Sequence, residues 1–396
     1  MISSKNSVVI VSANRSAIGS FCGSLSSLPA HEISTHLIKD IVKKSKIDVS
    51  EIDEIILGQI LTAGQGQNPA RIAAINAGLP IESTAVGINQ VCGAGLRAVA
   101  MGMQQLALND ANIIIAGGQE SMSLSNHCSH MRSPTKMGNV EFIDTMMKDG
   151  LWDAFHGYHM GITAENVARK FNISRDEQDI FAVNSQNKAE RAKSLGYFKK
   201  EITGIPTYFK KSEIIVNEDE YIRNGTTIES MQKLRPAFTK EGTVTAGNAS
   251  GLNDGAAIVL MMREDEAIKR GLKPLARIVS WATSGVAPEL MGTGPIPASK
   301  KALKKAGWKV NDLDLVEANE AFAAQAIAVN REMEWDPKIV NVNGGAIALG
   351  HPVGASGCRI LVTLLHEMKR SNKNKGLATL CIGGGMGIAL TVESIN

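Results

Sequence analysis

Ile38 to Gln59 spells IKDIVKKSKIDVSEIDEIILGQ, and Ser299 to Glu320, about 261 residues further on, spells SKKALKKAGWKVNDLDLVEANE. Each stretch has the pattern of a basic amphipathic helix, a turn, an Ile-Asp or Leu-Asp pair, and an apolar strand. The strands end at polar tips, Gly58-Gln59 in the first and Asn319-Glu320 in the second. The likeness continues downstream. Strand-like Ala85 to Ile88 leads through Asn89-Gln90-Val91-Cys92 to a helix, while Ile339 to Val342 leads through Gly344-Gly345 to His351 and a helix. Both then reach an apolar strand closed by glycines, Ile113 to Gly118 and Leu377 to Gly383. One such match could be the ordinary likeness of any two α/β stretches, but three in the same order are an internal repeat, and a repeat sets the architecture.

Two similar halves of alternating strand and helix predict an α/β fold with mostly parallel sheets covered by helices on their faces. The middle breaks that rhythm with polar stretches, several Met and a charged run from Lys210 to Glu220. It is expected to be an insertion from the first half, and Ala256 to Met262 (AAIVLMM) a buried strand returning to it. The expected division is 1–120 with 251–272 as the N-terminal half, 121–250 as an inserted loop domain, and 273–396 as the C-terminal half.

The 396 residues are 44% hydrophobic, enough for more than one core. The 42 basic and 39 acidic residues nearly balance at +3, and no basic tract or aromatic-interleaved stripe suits nucleic acid or a membrane surface. Met1 to Ser7 lacks a charged flank followed by an apolar stretch, and no apolar run approaches a membrane span of ~20 residues. A cytoplasmic protein is expected. Its five cysteines, Cys22, Cys92, Cys128, Cys358 and Cys381, are an odd number without CxxC spacing, which argues for reduced thiols and against a cysteine-rich metal site.

Cys92 lies directly before Gly93-Ala94-Gly95-Leu96, whose small residues suit a buried helix. A thiol at a helix N-terminus faces unpaired N–H groups and the positive end of the dipole, which favour the thiolate; it can equally be a buried structural cysteine. The repeat puts His351 in the matching turn, and a pseudo-twofold would bring an imidazole beside that thiol. Cys381 follows a strand and precedes Gly383-Gly384-Gly385-Met386-Gly387, which aims it at the sheet edge where open α/β folds bind ligands. That glycine run fits neither GxGxxG nor GxxxxGK[ST], so phosphate-loop readings are rejected. Asn319 could donate a hydrogen bond toward developing oxyanion charge, directly or through water, or could be a helix N-cap.

The runs Asn89 to Gly95, Asn319-Glu320-Ala321-Phe322, Gly350-His351-Pro352-Val353-Gly354-Ala355-Ser356-Gly357 and Cys381 to Gly387 resemble the four signature blocks of the thiolase family. The resemblance covers essentially the whole chain. It implies two α/β halves layered α-β-α-β-α around a pseudo-twofold, with an inserted loop domain that binds coenzyme A. It also implies a two-step ping-pong reaction. Cys92 takes the acyl group from one acyl-CoA with His351 as base, and Cys381 moves a proton at the α-carbon of a second acetyl-CoA. The backbone N–H groups of Cys92 and Gly383 hold the thioester oxygen in one step, and His351 with a water on Asn319 in the other. No metal or redox cofactor is implied, coenzyme A being substrate and product.

Asp153 to Asn166 resembles the biosynthetic short-chain type, in which the pair matching His159-Met160 narrows the acyl pocket and favours acetoacetyl-CoA. Within the block Thr245 to Gly251, Ala246 and Ser250 are expected at the pantetheine arm, with Leu151 and Phe322 lining its tunnel. Arg223 is expected near the nucleotide of CoA, or is a solvated surface arginine. Ala63 to Arg71 matches the family's dimer-covering loop, and a homotetramer built from tight dimers is implied. Two departures stand out. Asn14-Arg15-Ser16-Ala17-Ile18-Gly19 replaces the usual Arg-Thr-Pro, which is expected to loosen that turn, and Leu124 to His130 is atypical, though His127, Cys128 and His130 without a fourth ligand make a poor zinc site. The rival readings are a degradative thiolase for longer chains, a non-catalytic acyl-CoA or lipid binder, which should have lost Cys92, His351 or Cys381, and a β-ketoacyl synthase, which would commonly carry a second His in place of Cys381.

Overall fold

The computed structural model describes residues 7–133, 135–209 and 212–395. The stretch before Ser7 and the two lysines that open the charged run lie outside the described residues. The principal elements of the first half are β1 (Val8–Ser16), α1 (Ala30–Ser45), β2 (Glu54–Gly58), α2 (Pro69–Asn76), β3 (Thr84–Ile88), α3 (Ala94–Leu108) and β4 (Ile113–Ser121). Then come α4 (Met160–Lys170), α5 (Arg175–Ser194) and the returning strand β5 (Asn253–Arg263). The second half holds β6 (Ala276–Gly285), α6 (Pro295–Ala306), β7 (Leu315–Ala318), α7 (Ala323–Met333), α8 (Ser356–Ser371), β8 (Lys375–Ile382) and β9 (Met386–Glu393). Among the described residues no helix is long and apolar enough to cross a membrane.

The strands run in the order β3-β2-β4-β5-β1 and, mirrored, β7-β8-β9-β6. The halves meet where β1 pairs antiparallel with β6 through Val9↔Arg277 and Ile10↔Ala276. The expectation of mostly parallel sheets needs correcting. β2, β3 and β4 pair in parallel, as do β7 and β8, but β5 and β9 run antiparallel to both their neighbours. They do so because β9 follows β8 through a tight glycine turn, and β5 returns from a long excursion that ends at the same sheet edge. The predicted strand at Ile339 to Val342 is reduced to one parallel bridge, Val316↔Val340, because Asn341 turns into positive φ (44°).

The period of two decides the layers. Along β4, Ile113 and Ile115 face α1 and α2, while Ile114 and Ala116 face inward. Along β5, Ile258, Leu260 and Met262 face outward, and Ala257, Val259 and Met261 inward. The inward residues share a core with Leu96, Val99 and Met103 of α3, with Ile360, Leu361 and Leu364 of α8, and with Leu380 and Ile382 of β8. Leu377 and Val316 turn the other way, onto Leu303 of α6 and Val329 and Met333 of α7. That is helix, sheet, helix, sheet, helix. The two middle helices approach at Gly95 and Gly357, where a Cβ would lie 2.9 Å from the Cys358 nitrogen and 2.5 Å from the Leu96 nitrogen.

The aspartates of the repeat do the same work in each half. The Asp53 carboxylate accepts the N–H groups of Asn112 (2.7 Å) and Ile113 (3.0 Å), which sets β4 beside β2. The Asp314 carboxylate accepts those of Asn374 (3.0 Å) and Lys375 (2.9 Å), which sets β8 beside β7. The turn after β1 is not loosened by its missing proline. Buried Arg15 is held by Asp219 at 2.7 and 2.9 Å and by Glu201 at 2.6 Å, and Asp219 also accepts the Ile18 N–H at 2.8 Å. A carboxylate anchored in the middle segment replaces the restraint that a ring would supply.

Candidate active site

The first catalytic candidate stands in the turn from β3 to α3. Asn89 Oδ1 accepts the Val91 N–H at 2.9 Å, and the Gly93 and Ala94 N–H groups donate to the Gln90 and Val91 carbonyls. Val91 is forced to φ 45°, a region that a β-branched residue avoids at a cost of about 1–3 kcal/mol. That strain presents Cys92 at the wall of a cavity of about 330 Å³, just before the helix begins at Ala94. The N–H groups of Gly383 and of Cys92 itself favour a charged sulfur. Against the expectation that the helix end favours the thiolate, desolvation of the half-buried Cys92 exceeds the effect of those two amides and pushes the thiol up to about 11, with the Glu120 carboxylate adding in the same direction.

His351 reaches the same cavity from the turn before α8. Its N–H donates to Asn253 Oδ1 at 2.8 Å, and its Nδ1 lies 2.6 Å from Ser356 Oγ, whose hydroxyl donates to the Pro352 carbonyl at 2.8 Å. A carbonyl only accepts, so the serine proton is committed there and Ser356 Oγ accepts from His351 Nδ1–H. The neutral ring therefore keeps its lone pair on Nε2. Burial, and secondarily the Arg359 charge, pull His351 down to about 4, so it is neutral at ordinary pH. Asn319 is buried beside it, its Nδ2 3.5 Å from His351 Nδ1 and its Oδ1 without a partner. Two donors do not face each other, so we assign the amide the other way round, with its oxygen to the ring and its NH2 in the unpartnered place. Asn319 caps no helix, since α7 starts at Ala323 behind Phe322.

Cys381 ends β8 fully buried, packed with Met160, Phe322, Ala249 and Met291. Its thiol is pushed well above the usual range, first by burial and then by the closeness of Cys92. Gly383 lines the cavity beside Cys92. Leu151, His159, Met160, Ala246, Ser250 and Phe322 line it as well. His159 is fixed twice: its Nδ1 accepts the Gly161 N–H at 3.0 Å and caps α4, and its ring stacks on Phe238 at 4.7 Å. Arg223 stays outside the cavity. It is exposed, with its guanidinium over the ring of Tyr221, which does line the mouth.

The sequence reading passed over Ser356, although it stands inside the quoted glycine block five residues after His351. It also passed over Phe238, Tyr221 and the methionines Met122, Met147 and Met291 that line the cavity. Those residues come from distant parts of the chain, and no local pattern marks them.

Comparison with known proteins agrees with this arrangement. The family model described as "Thiolase, N-terminal domain" matches residues 8–265, and "Thiolase, C-terminal domain" matches residues 272–394. The chain is 64% identical to the acetyl-CoA acetyltransferase of Rhizobium meliloti (strain 1021), over 99% of this chain and 100% of the relative. It is 66% identical to that of Paracoccus denitrificans, over 97% of this chain and 98% of the relative. Among solved structures, the Bacillus anthracis acetyl-CoA acetyltransferase superposes with a TM-score of 0.96 at 42% identity, covering 98% of this chain and 99% of that one. Human mitochondrial 3-ketoacyl-CoA thiolase in complex with CoA gives 0.94 at 41%, covering 98% of each. Both halves of the chain are thus matched, by the two family models and by relatives aligned over their full length, and the chain belongs to the thiolase family.

Proposed function

We propose that this chain is an acetyl-CoA acetyltransferase, which condenses two acetyl-CoA into acetoacetyl-CoA and CoA and runs the reverse thiolysis. The observation that carries the reading is a thiol and an imidazole with its Nε2 free on the wall of one apolar cavity, with a second, fully buried thiol packed against Met160, Ala249, Met291 and Phe322 of the same wall. Full-length relatives named acetyl-CoA acetyltransferase at 64–66% identity support it.

Cys92 Sγ attacks the thioester carbonyl while His351 Nε2 takes its proton, and the carbonyl oxygen is held by the Cys92 and Gly383 N–H groups. Collapse expels CoA as its thiolate, which is protonated in solvent, and leaves acetyl-Cys92 with the proton held on His351 Nε2. Cys381 then removes a proton from the α-carbon of a second acetyl-CoA, whose enolate oxygen is held by that Nε2–H and by a water on the NH2 of Asn319. The enolate carbon attacks the acetyl carbonyl, the Cys92 sulfur leaves and takes its proton back from His351 Nε2, and Cys381 releases the α-proton to solvent. Neutral resting groups suit this sequence, since each proton moves only when an acyl group is present. A thioester acidifies its own α-C–H and sulfur leaves well, so the chemistry requires no metal or redox cofactor. His159 and Met160, with Phe238 behind them, limit the acyl pocket to a short chain.

The wider reading is a cytoplasmic homotetramer. Met131, Met137 and Phe142 stand exposed on the stretch around the short hairpin His127–Cys128 with Ile143–Asp144, and β3 is an open sheet edge beside the exposed loop at 62–68. Uncovered apolar side chains and an unpaired edge call for a second copy of the chain. In the same reading, 1–120 with 251–272 and 273–396 are the two halves, and 121–250 is the CoA-binding insertion, with Arg223 and Tyr221 at the nucleotide end.

The test is thiolysis of acetoacetyl-CoA by CoA, wild type beside Cys92→Ala. Robust turnover that disappears in the variant is expected. A folded, reduced wild type without turnover on acetoacetyl-CoA, but with turnover on longer 3-ketoacyl-CoA, would replace this reading with the degradative one.

A further inference from the structure

Glu120, near the end of β4, is fully buried and pairs with no cationic side chain among the described residues. Its partners are three backbone N–H groups from two separate parts of the chain. Oε2 accepts from Ile60 at 3.0 Å and from Gly354 at 3.1 Å, and Oε1 accepts from Leu61 at 3.3 Å. Ile60 and Leu61 follow β2, and Gly354 sits three residues after His351. The side chains of Ile60, Leu61 and neighbouring Val353 form one cluster with Val91 and Cys92. The junction is cleared for this contact. A Cβ on Gly354 would lie 2.8 Å from Glu120 Oε2, and one on Gly118 would lie 2.1 Å from the Gly354 carbonyl.

Three donors converging on one side chain call for a group that only accepts. A carboxylate meets that demand, whereas a glutamine or a protonated glutamic acid turns a donor toward a donor. We propose that Glu120 is a positioning residue for acyl transfer, an ionised carboxylate that locks the loop after β2 to the turn behind His351 and fixes the spacing of Cys92 and His351. It touches no reacting atom and acts through the two turns. A second, smaller effect is electrostatic: behind burial, which comes first, the negative charge near Cys92 also opposes ionisation of the sulfur. The other titratable groups facing Cys92 are His351 and Cys381, and the one facing Glu120 from β5 is Asp254. Burial lifts Glu120 itself to about 7, so the lock weakens on acidification.

The proposal rests on the acyl-transfer reading for its effect on turnover, but not for its effect on the thiol. Two variants separate charge from reach. Glu120→Gln removes the charge and keeps the length, whereas Glu120→Asp keeps the charge and draws it back. Thiolysis of acetoacetyl-CoA is expected to lose about 10–100-fold in kcat in both, with KM within about twofold, because a displacement of about 1 Å costs that much. The pH midpoint for alkylation of Cys92 by iodoacetamide is expected to fall by half a unit or more in Glu120→Gln, and to stay in place in Glu120→Asp. Wild-type kcat in Glu120→Gln, or an unmoved alkylation midpoint, overturns the proposal. A wild type without thiolysis would refute the acyl-transfer reading instead, while the alkylation profiles still judge Glu120. Should the variants not fold, hydrogen exchange in the wild type decides. After correction for the intrinsic rate, the segments holding Ile60–Leu61 and Gly354 lose protection together between pH 8 and pH 5.5 if Glu120 joins them, and separately if it does not.

Discussion

The turn that carries Cys92 and the turn that carries His351 occupy equivalent places in two half-sheets of one design, yet they are held in different ways. The first is tight and strained, with Val91 at φ 45° pinned by the Asn89 side chain. The second is broader and runs through a chain of hydrogen bonds from His351 to Ser356 to the Pro352 carbonyl, with Asn253 gripping the backbone. Further from the cavity the difference vanishes, and Asp53 and Asp314 make the same pair of bonds to the neighbouring strand. Duplicated residues have stayed alike where both copies serve the scaffold. They differ where each faces the cavity, as the proposed reaction requires, with a nucleophile from one side and a base from the other.

The sharpest way to break that division of labour is to remove the second thiol. Cys381→Ala is expected to lower acetoacetyl-CoA synthesis by about 10³-fold or more while leaving acetylation of Cys92 intact, as a general acid–base residue acting in the second step should. Mass spectrometry of the trapped acetyl-enzyme checks it, and loss of acetylation would show that the two thiols do not act in separate steps.

A smaller, continuous effect concerns the resting proton. With Cys92 near 11 and His351 near 4, the pair is neutral from about pH 5 to pH 10. The alkylation rate of Cys92 should then climb about tenfold per unit between pH 6 and pH 9, since the thiolate fraction grows in that proportion. A plateau at neutral pH would reveal a thiolate–imidazolium pair and reverse the burial argument.

Ser356→Ala tests the C-terminal turn alone. Without an acceptor at Nδ1 the ring loses its fixed tautomer, and acetylation should slow by about 10–100-fold, the usual cost of a lost orienting partner. The 15N signals of histidine-labelled wild type should show His351 protonated on Nδ1, and protonation on Nε2 would overturn the assignment. The smallest effect belongs to the scaffold. Asp53→Ala and Asp314→Ala should each cost about 1 kcal/mol in urea unfolding, by similar amounts. A large difference between them would mean that the repeat is only apparent in sequence.

Much of this was legible in the chain. Strand and helix order, the two halves and the returning strand Asn253–Arg263 follow from periodicity and self-similarity, which are local properties. Cys92, His351, Asn319 and Cys381 could be picked out because each closes a repeated strand or opens a repeated turn. The antiparallel placement of β5 and β9 was not legible, since pairing direction depends on where a connection returns.

What the sequence by itself determined is the set of candidate reactive side chains and the sheet edges they stand on, because hydrophobic period and turn residues act over a few positions. The tertiary structure alone decided their state. Burial outweighs a helix end and keeps the proton on Cys92, Ser356 and the Pro352 carbonyl settle which nitrogen of His351 is free, and Glu120 finds its three donors only once both halves are packed. Protonation and tautomer are set by desolvation and by hydrogen-bond partners far apart in the chain, and those exist only in the folded molecule.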